Sequence, residues 1–373
     1  MIKARSPKSV DLILLGLIGT LLLVGFFIFS SAALALLARD GASFQSVVTS
    51  QFFFGVVGGV SALVILSSIY YRTWRQYALY IFIAGVLATL AVFIPGVGMT
   101  HAGATRWLDL GFTTVQPSEF LKIAFVIYIA TLLSGTHKAI DSWKAGLLPF
   151  AGVLGVVCVV MLSLPDTDTF MIMVVAGMAM FITAGGKWRH ILLLALTGVL
   201  MLAILAMVRP YVKDRLLTYL NPTSDPQGSG YQIQQSLIAV GSGGWFGRGY
   251  GQSIQKFEYL PEPIGDSIFA VYAEEFGFIG SILLIILLAG FTFRGYKIAT
   301  QAEDVFGMLL VVGIMTLIVS QAFLNIAAMV GVAPLSGLPL PFISHGGTAL
   351  LVTLASLGIV LNVSKYRILE RGT

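Results

Sequence analysis

Five of the chain's 17 carboxylates, Glu258, Glu262, Asp266, Glu274 and Glu275, fall in one short stretch. Only 10% of the residues are charged and 57% are hydrophobic, so acids are scarce and here they gather. The first three come just before a long apolar run; the last two lie inside it. Carboxylates concentrated at a water–lipid boundary point to proton transfer or ion handling. Asp266 follows Pro261, Pro263 and Gly265, which stiffen the turn that presents it. A carboxylate partly shielded from water titrates high and can act as a general base. The plainer account makes Asp266 a helix cap, bonding the first free N–H groups of the run.

Other groups could join such chemistry. Arg106-Trp107 precedes Gln116-Pro117-Ser118-Glu119 and Lys122. Glu119 and Lys122 are three apart on an expected helix, so they share a face as a binding pair or as an ion pair that pins helices. Gln116-Pro117 reads as a helix start. Asp166 and Asp168 occupy a short polar turn; two acids do not by themselves make a Mg²⁺ site. Gly337 to Thr348, with Pro339, Pro341, Ser344, His345 and a glycine pair, reads as a broken or re-entrant segment. Such backbone is tolerated at membrane depth only where protein or water covers it. Arg106, Arg209, Lys213, Arg215, Arg248 and Lys256 form a basic set that suits a solvated face, lipid headgroups or a pyrophosphate-bearing lipid.

These residues need a frame, and hydropathy supplies it. The 373 residues have a mean hydropathy of +0.92, too apolar for a soluble domain. About ten apolar runs, roughly 10–34, 50–70, 77–97, 116–135, 145–164, 168–185, 189–208, 267–293, 305–332 and 343–364, predict an all-α polytopic membrane protein. The runs do not alternate as barrel strands would. The first lacks a cleavage pattern and reads as a retained signal anchor. Fourteen basic residues fall on the side of the termini and seven on the other, so both termini are expected in the cytoplasm. The long loop, about 209–266, then faces outward. It holds an amphipathic stretch, Tyr231–Val240, and a glycine-rich run from Gly241 to Gly251 that permits close backbone approach. Cys158 reads as a small core residue. The four histidines lack metal-ligand spacing, so no zinc site is expected. The net charge of +5 follows from the orienting loops and implies no nucleic acid.

Four separated motifs carry a resemblance. They are Gly103-Ala-Thr-Arg106-Trp107 running into Gln116-Pro-Ser-Glu119; Gly230-Tyr-Gln232; Lys256 to Glu275; and Pro339 to Gly347. In this order and spacing the chain resembles the SEDS family, the FtsW, RodA and SpoVE proteins of bacteria, from about residue 90 to its end. The resemblance implies a single integral membrane domain, 1–373, in the bacterial cytoplasmic membrane. It implies a peptidoglycan glycosyltransferase that polymerises lipid II outside that membrane. The implied partners are a class B penicillin-binding protein, other proteins of the division or elongation complex, and membrane lipids. By position, Asp266 matches the family's essential acid and Glu258 a second sensitive acid. Ile264-Gly265 stands where the family often has His-Thr, and His345 where it has Tyr.

The expected site therefore has Asp266 and Glu258 as catalytic acids. Arg106, Trp107, Glu119, Lys122, Arg215, Arg248, Lys256 and Ser344 would bind substrate. No cofactor is assigned, and Mg²⁺ alone is left open. The region around Ser253 and Tyr259 leans toward the FtsW division type over the RodA elongation type. A lipid II flippase and a non-enzymatic scaffold are the rival classes.

Overall fold

In the computed structural model, nine helices among the described residues are long and apolar enough to cross a bilayer, and the shorter Thr167–Thr183 supplies a tenth apolar helix. The structure describes residues 9–39, 41–101, 104–109, 114–136, 140–221 and 228–368. Gly103 of the first motif lies outside them, as do Lys3, Arg5, Lys8, Lys138 and Arg371, which are five of the fourteen basic residues counted on the side of the termini. In chain order the helices are α1 (Leu12–Arg39), α2 (Gly41–Ser50), α3 (Gly59–Ser68), α4 (Arg72–Leu90), α5 (Pro117–Gly135), α6 (Leu148–Ser163) and α7 (Thr167–Thr183). There follow α8 (Trp188–Val208), α9 (Pro210–Leu220), α10 (Ser229–Ser242), α11 (Ile268–Thr300), α12 (Val305–Met329) and α13 (Gly347–Lys365). A π-helical stretch, Gln51–Gly58, joins α2 to α3 in one span.

The expected all-α architecture holds, with one addition. Strands β1 (Gly98–His101), β2 (Ala104–Asp109) and β3 (Thr114–Val115) form a small antiparallel sheet before α5. Its β2 strand carries Arg106 and Trp107, with Trp107 opposite Met99. The expected helix start at Gln116-Pro117 is present as the N-cap and first turn of α5.

α12 lies deepest, packed against α5, α7, α11 and α13. Apart from the hydroxyls of Thr316 and Ser320 its residues are apolar, except for two buried amides, Gln321 and Asn325. They are four apart and so share a face. Both reach the irregular segment 331–346: Gln321 Nε2 donates to the Pro339 carbonyl at 2.8 Å, and Asn325 Nδ2 to that of Leu338 at 2.9 Å. The segment is irregular, as expected of a broken one, and side chains satisfy backbone that has no helix to satisfy it.

The run expected as one continuous span near 267–293 is broken. Gly277 in α11 has φ 65° and ψ −164°, which no other residue type adopts easily. The glycine-rich turn fills the break. Phe278 N donates to the Gly244 carbonyl at 2.9 Å and Ile279 N to that of Trp245 at 3.1 Å. In return, Arg248 N and Gly249 N donate to the carbonyls of Glu274 and Glu275 at 3.0 and 2.9 Å.

α1 grips α11 on both sides of this break. Ser31 Oγ donates to Glu275 at 2.7 Å before it, and Arg294 Nε donates to Asp11 Oδ1 at 2.9 Å after it. Arg367 also pairs with Asp11. These basic residues and both ends of the described chain lie at one end of the bundle, opposite the loop that carries Asp266.

The turn's close approach gives a direct test. A Cβ on Gly243 would lie 2.1 Å from the Ala273 carbonyl oxygen, whereas one on Gly241 meets nothing within 4 Å. Gly243→Ala is expected to destabilise by about 1–3 kcal/mol, and Gly241→Ala to leave stability near the parent value. Thermal unfolding of the two variants in detergent measures the contrast.

Candidate active site

Asp266 sits immediately before α11, whose N-cap is Ser267 and makes no side-chain capping bond. The carboxylate is therefore not spent on capping the helix. The backbone around it is held from two directions. Asn325 Nδ2 donates to the Asp266 carbonyl at 2.7 Å, Ser344 Oγ to that of Gly265 at 2.7 Å, and His345 N to that of Ile264 at 2.7 Å. The side chain is half-buried. Its Oδ1 receives Gln232 Nε2 at 3.2 Å and Ser267 Oγ at 3.5 Å. Among the described residues no protein donor engages Oδ2. Burial pushes the Asp266 carboxyl up to about 7, and the negative charge of Glu262 adds to the shift. Glu258 and Glu262 are exposed and both have positive φ, at 74° and 47°, so they belong to tight turns.

Cations approach from α9 and β2. Arg215 feels the charge of Asp266 and pairs with Asp168 at 2.6 Å. Asp168 Oδ2 also accepts from Gly337 N at 3.0 Å. Arg106 Nε donates to the Leu164 carbonyl at 3.1 Å, and its other arm reaches the Pro165 carbonyl. Asp166 caps α7 by accepting from Thr169 N at 3.3 Å, and burial pushes its carboxyl up. The short acidic turn thus joins β2, α9 and the re-entrant segment beside Asp266. Trp107 neighbours Arg106 on the sheet and is half-buried.

Glu119 and Lys122 form a buried pair at 2.8 Å. Lys122 Nζ donates onward to Gln321 Oε1 at 3.0 Å, and Gln321 holds Pro339. The pair therefore acts on the re-entrant segment from behind. Ser344 Oγ accepts from Leu340 N at 2.7 Å while donating to Gly265, so its hydroxyl serves the backbone rather than an open pocket.

Lys256 departs most from expectation. It is 1% exposed, and its Nζ meets the Ser31 carbonyl and Oγ at 3.1 Å, the Gly251 carbonyl at 3.0 Å and Glu275 Oε1 at 2.7 Å. Three N–H donors are fully used, so none is presented to a ligand. Arg248 Nε lies 3.3 Å from Glu274, which also accepts from Ser253 Oγ at 2.6 Å, Ile254 N at 3.1 Å and Gln255 N at 3.2 Å. Glu274 and Glu275 are bracing groups, as their depth in the run suggests. Sequence reading passed over Gln321 and Asn325, although a lone amide in an apolar span is itself a signal.

Among the described residues no three His, Cys, Asp or Glu side chains gather as a metal site. An apolar cavity of about 460 Å³ lies between α4, α5 and α6, lined by Phe82, Tyr128 and Val153 among others. Tyr128 and Leu132 lie in the later turns of α5, so this cavity is remote from Asp266.

A family model described as "Cell cycle protein", covering FtsW, RodA and SpoVE, matches residues 11–368. The chain belongs to the FtsW/RodA/SpoVE family. It is 38% identical over 365 residues to "Stage V sporulation protein E" of Bacillus subtilis (strain 168), spanning 98% of each chain. It is 39% identical over 306 residues to "Probable peptidoglycan glycosyltransferase FtsW" of Geobacter sulfurreducens, spanning 82% of each. Among solved structures, it is similar to a chain described under "Structural coordination of polymerization and crosslinking by a peptidoglycan synthase complex", with TM-score 0.79, 25% identity and coverage of 97% and 99%. RodA of Thermus thermophilus shares the fold, with TM-score 0.70, 24% identity and coverage of 97% and 98%. As an FtsW/RodA/SpoVE protein, the chain is a polytopic membrane protein.

The Lys256–Glu275 pair yields a prediction. Removing one partner leaves an uncompensated buried charge, which costs roughly 3–5 kcal/mol. Lys256→Met and Glu275→Gln are each expected to lower the unfolding temperature. The double variant should recover part of the loss, which a double-mutant cycle on thermal unfolding measures.

Proposed function

We propose that the chain is a peptidoglycan glycosyltransferase that polymerises lipid II, with Asp266 as its general base. The 4-hydroxyl of an acceptor GlcNAc attacks C1 of a lipid-linked MurNAc. As the new C–O bond forms, the C1–O bond to undecaprenyl pyrophosphate breaks, with inversion at C1. A hydroxyl is a weak nucleophile, so its proton must pass to a base. The observation that carries this role is a half-buried carboxylate, unused as a cap, with Oδ1 tied by Gln232 and Oδ2 unengaged among the described residues. Charge that builds on the leaving pyrophosphate needs cations. Arg215 and Arg106 suit this task, with Trp107 beside Arg106 on its strand; the exposed Glu258 is the proposed assistant. Lys256, Arg248, Glu119, Lys122 and Ser344 shape the site through the elements they brace. Mg²⁺ enters only as an ion carried by the pyrophosphate, since it is commonly held by one or two carboxylates plus substrate phosphates.

In this reading the end bearing Asp266 faces outward and both termini are cytoplasmic, as the basic loops favour. A class B penicillin-binding protein is the proposed partner, supported by the likeness to a chain from a peptidoglycan synthase complex. Division is the favoured role, supported by relatives named FtsW. Sporulation is the second, because the Bacillus relative spans nearly the whole of both chains.

Purified protein with lipid II in detergent tests the chemistry, with and without the partner. Asp266→Ala is expected to lower polymer formation by roughly 100- to 10,000-fold while the unfolding temperature is kept. Near-parental polymer from the folded variant would overturn the assignment, and scrambling of labelled lipid II in liposomes without polymer would favour a flippase. The pH profile is a second check. The base acts only when deprotonated, so with its carboxyl near 7 the rate should be low at pH 5 and rise through about pH 7. A limb near pH 4 would place the active base outside the shielded setting of Asp266.

A further inference from the structure

Gly230-Tyr231-Gln232 is the motif that the chemistry above leaves without a task. It opens α10, whose buried residues Ile233, Ser236 and Ala239 repeat every three positions. That face packs on α11 and α12, and Ser236 Oγ lies 3.4 Å from Met329 Sδ. Gln232 falls at the edge of this face. Its Nε2 reaches Asp266 Oδ1 at 3.2 Å and Ser267 Oγ at 3.0 Å. A side-chain amide has two N–H donors, so both bonds form together.

We infer that Gln232 is a positioning residue that ties Oδ1 of Asp266 and thereby leaves Oδ2 to take the acceptor's proton. The inference rests on Asp266 being the base. The terminal torsion of an aspartate is broad and roughly two-fold, so an untethered carboxylate would exchange its oxygens freely. Asn325 fixes the backbone of the same residue, and among the described residues Gln232 and Ser267 are the side chains that hydrogen-bond to its carboxylate. Ser267 also anchors the amide of Gln232, so the amide cannot turn away without losing a second bond. A donor to the charged form favours that form. Gln232 therefore opposes the upward push of burial and of Glu262, and keeps the base available at neutral pH. The charged group facing Asp266 from its own turn is Glu262, and Arg215 on α9 feels its charge; α10, α12 and the segment 331–346 meet residues 265–266 through the neutral Gln232, Asn325 and Ser344.

Full-length Gln232→Leu and Gln232→Glu, assayed with lipid II across pH 5 to 9, test this. Gln232→Leu is expected to lower kcat roughly tenfold, since a bond to a charged group is lost, and to leave KM near its parental value. Its acid limb should move up by about half a unit to one unit. Gln232→Glu adds a like charge in the same volume and should move the limb further up. Ile238→Ala, on the exposed side of α10, should leave both unchanged. An unshifted limb in either variant overturns the inference, as does parental kcat in Gln232→Leu. If Gln232→Leu fails to fold, the near-isosteric Gln232→Glu decides by its limb alone. Inactive Asp266→Ala beside a parental Gln232→Leu would overturn only the positioning role. Active Asp266→Ala would remove the base itself.

Discussion

Backbone that leaves a helix inside a bilayer must find its hydrogen bonds within the protein, and this constraint organises the chain. Two irregular segments enter the bundle, the turn 243–251 and the stretch 331–346. Each is paid for by specific donors and acceptors. The turn exchanges four backbone bonds with the break in α11. The stretch is held by Gln321, Asn325 and Ser344. Buried polar residues of the spans serve both places, Ser31 and Glu275 at the turn and Gln321 and Asn325 at the stretch, so losing one of them is felt beyond its own contacts.

The carboxylate proposed as the base inherits its position from this arrangement. Asp266 stands where α11, α12, α10 and the re-entrant stretch meet, and bonds from three of them converge on residues 264–266. Asn325 makes two of its bonds at once, one to Asp266 and one to Leu338, so the stretch cannot shift without disturbing the acid. The chain of Glu119, Lys122 and Gln321 extends that hold to α5.

Much of this was legible in the residues, and the misses have physical causes. Spans show because apolar runs of about 20 residues have no other stable use. The break at Gly277 does not show, because a glycine within an apolar helix pattern fits a continuous span equally well. The sheet carrying Arg106 was missed because its strands are short and lie between spans. Asp266 stood out through its setting of prolines, glycine and neighbouring acids. The cations did not sort themselves, because sequence gives their type but not their partners. Lys256 and Glu275 are 19 positions apart, and nothing local reveals that they pair in a sealed interior.

α1 grips the two halves of α11 at Ser31 and Asp11, one on each side of Gly277. Asp11, which caps the start of α1 by accepting from Leu14 N, and Ser31 within it are 20 positions apart, about 30 Å at 1.5 Å per residue. α1 is therefore a splint laid across a fracture. Its rigid length sets how far apart the halves stand and so how the Asp266 end of α11 is tilted. A residue inserted midway along α1 would lengthen the splint by about 1.5 Å and rotate one grip by about 100° relative to the other. The effect would reach Asp266 with no change to any residue that touches it.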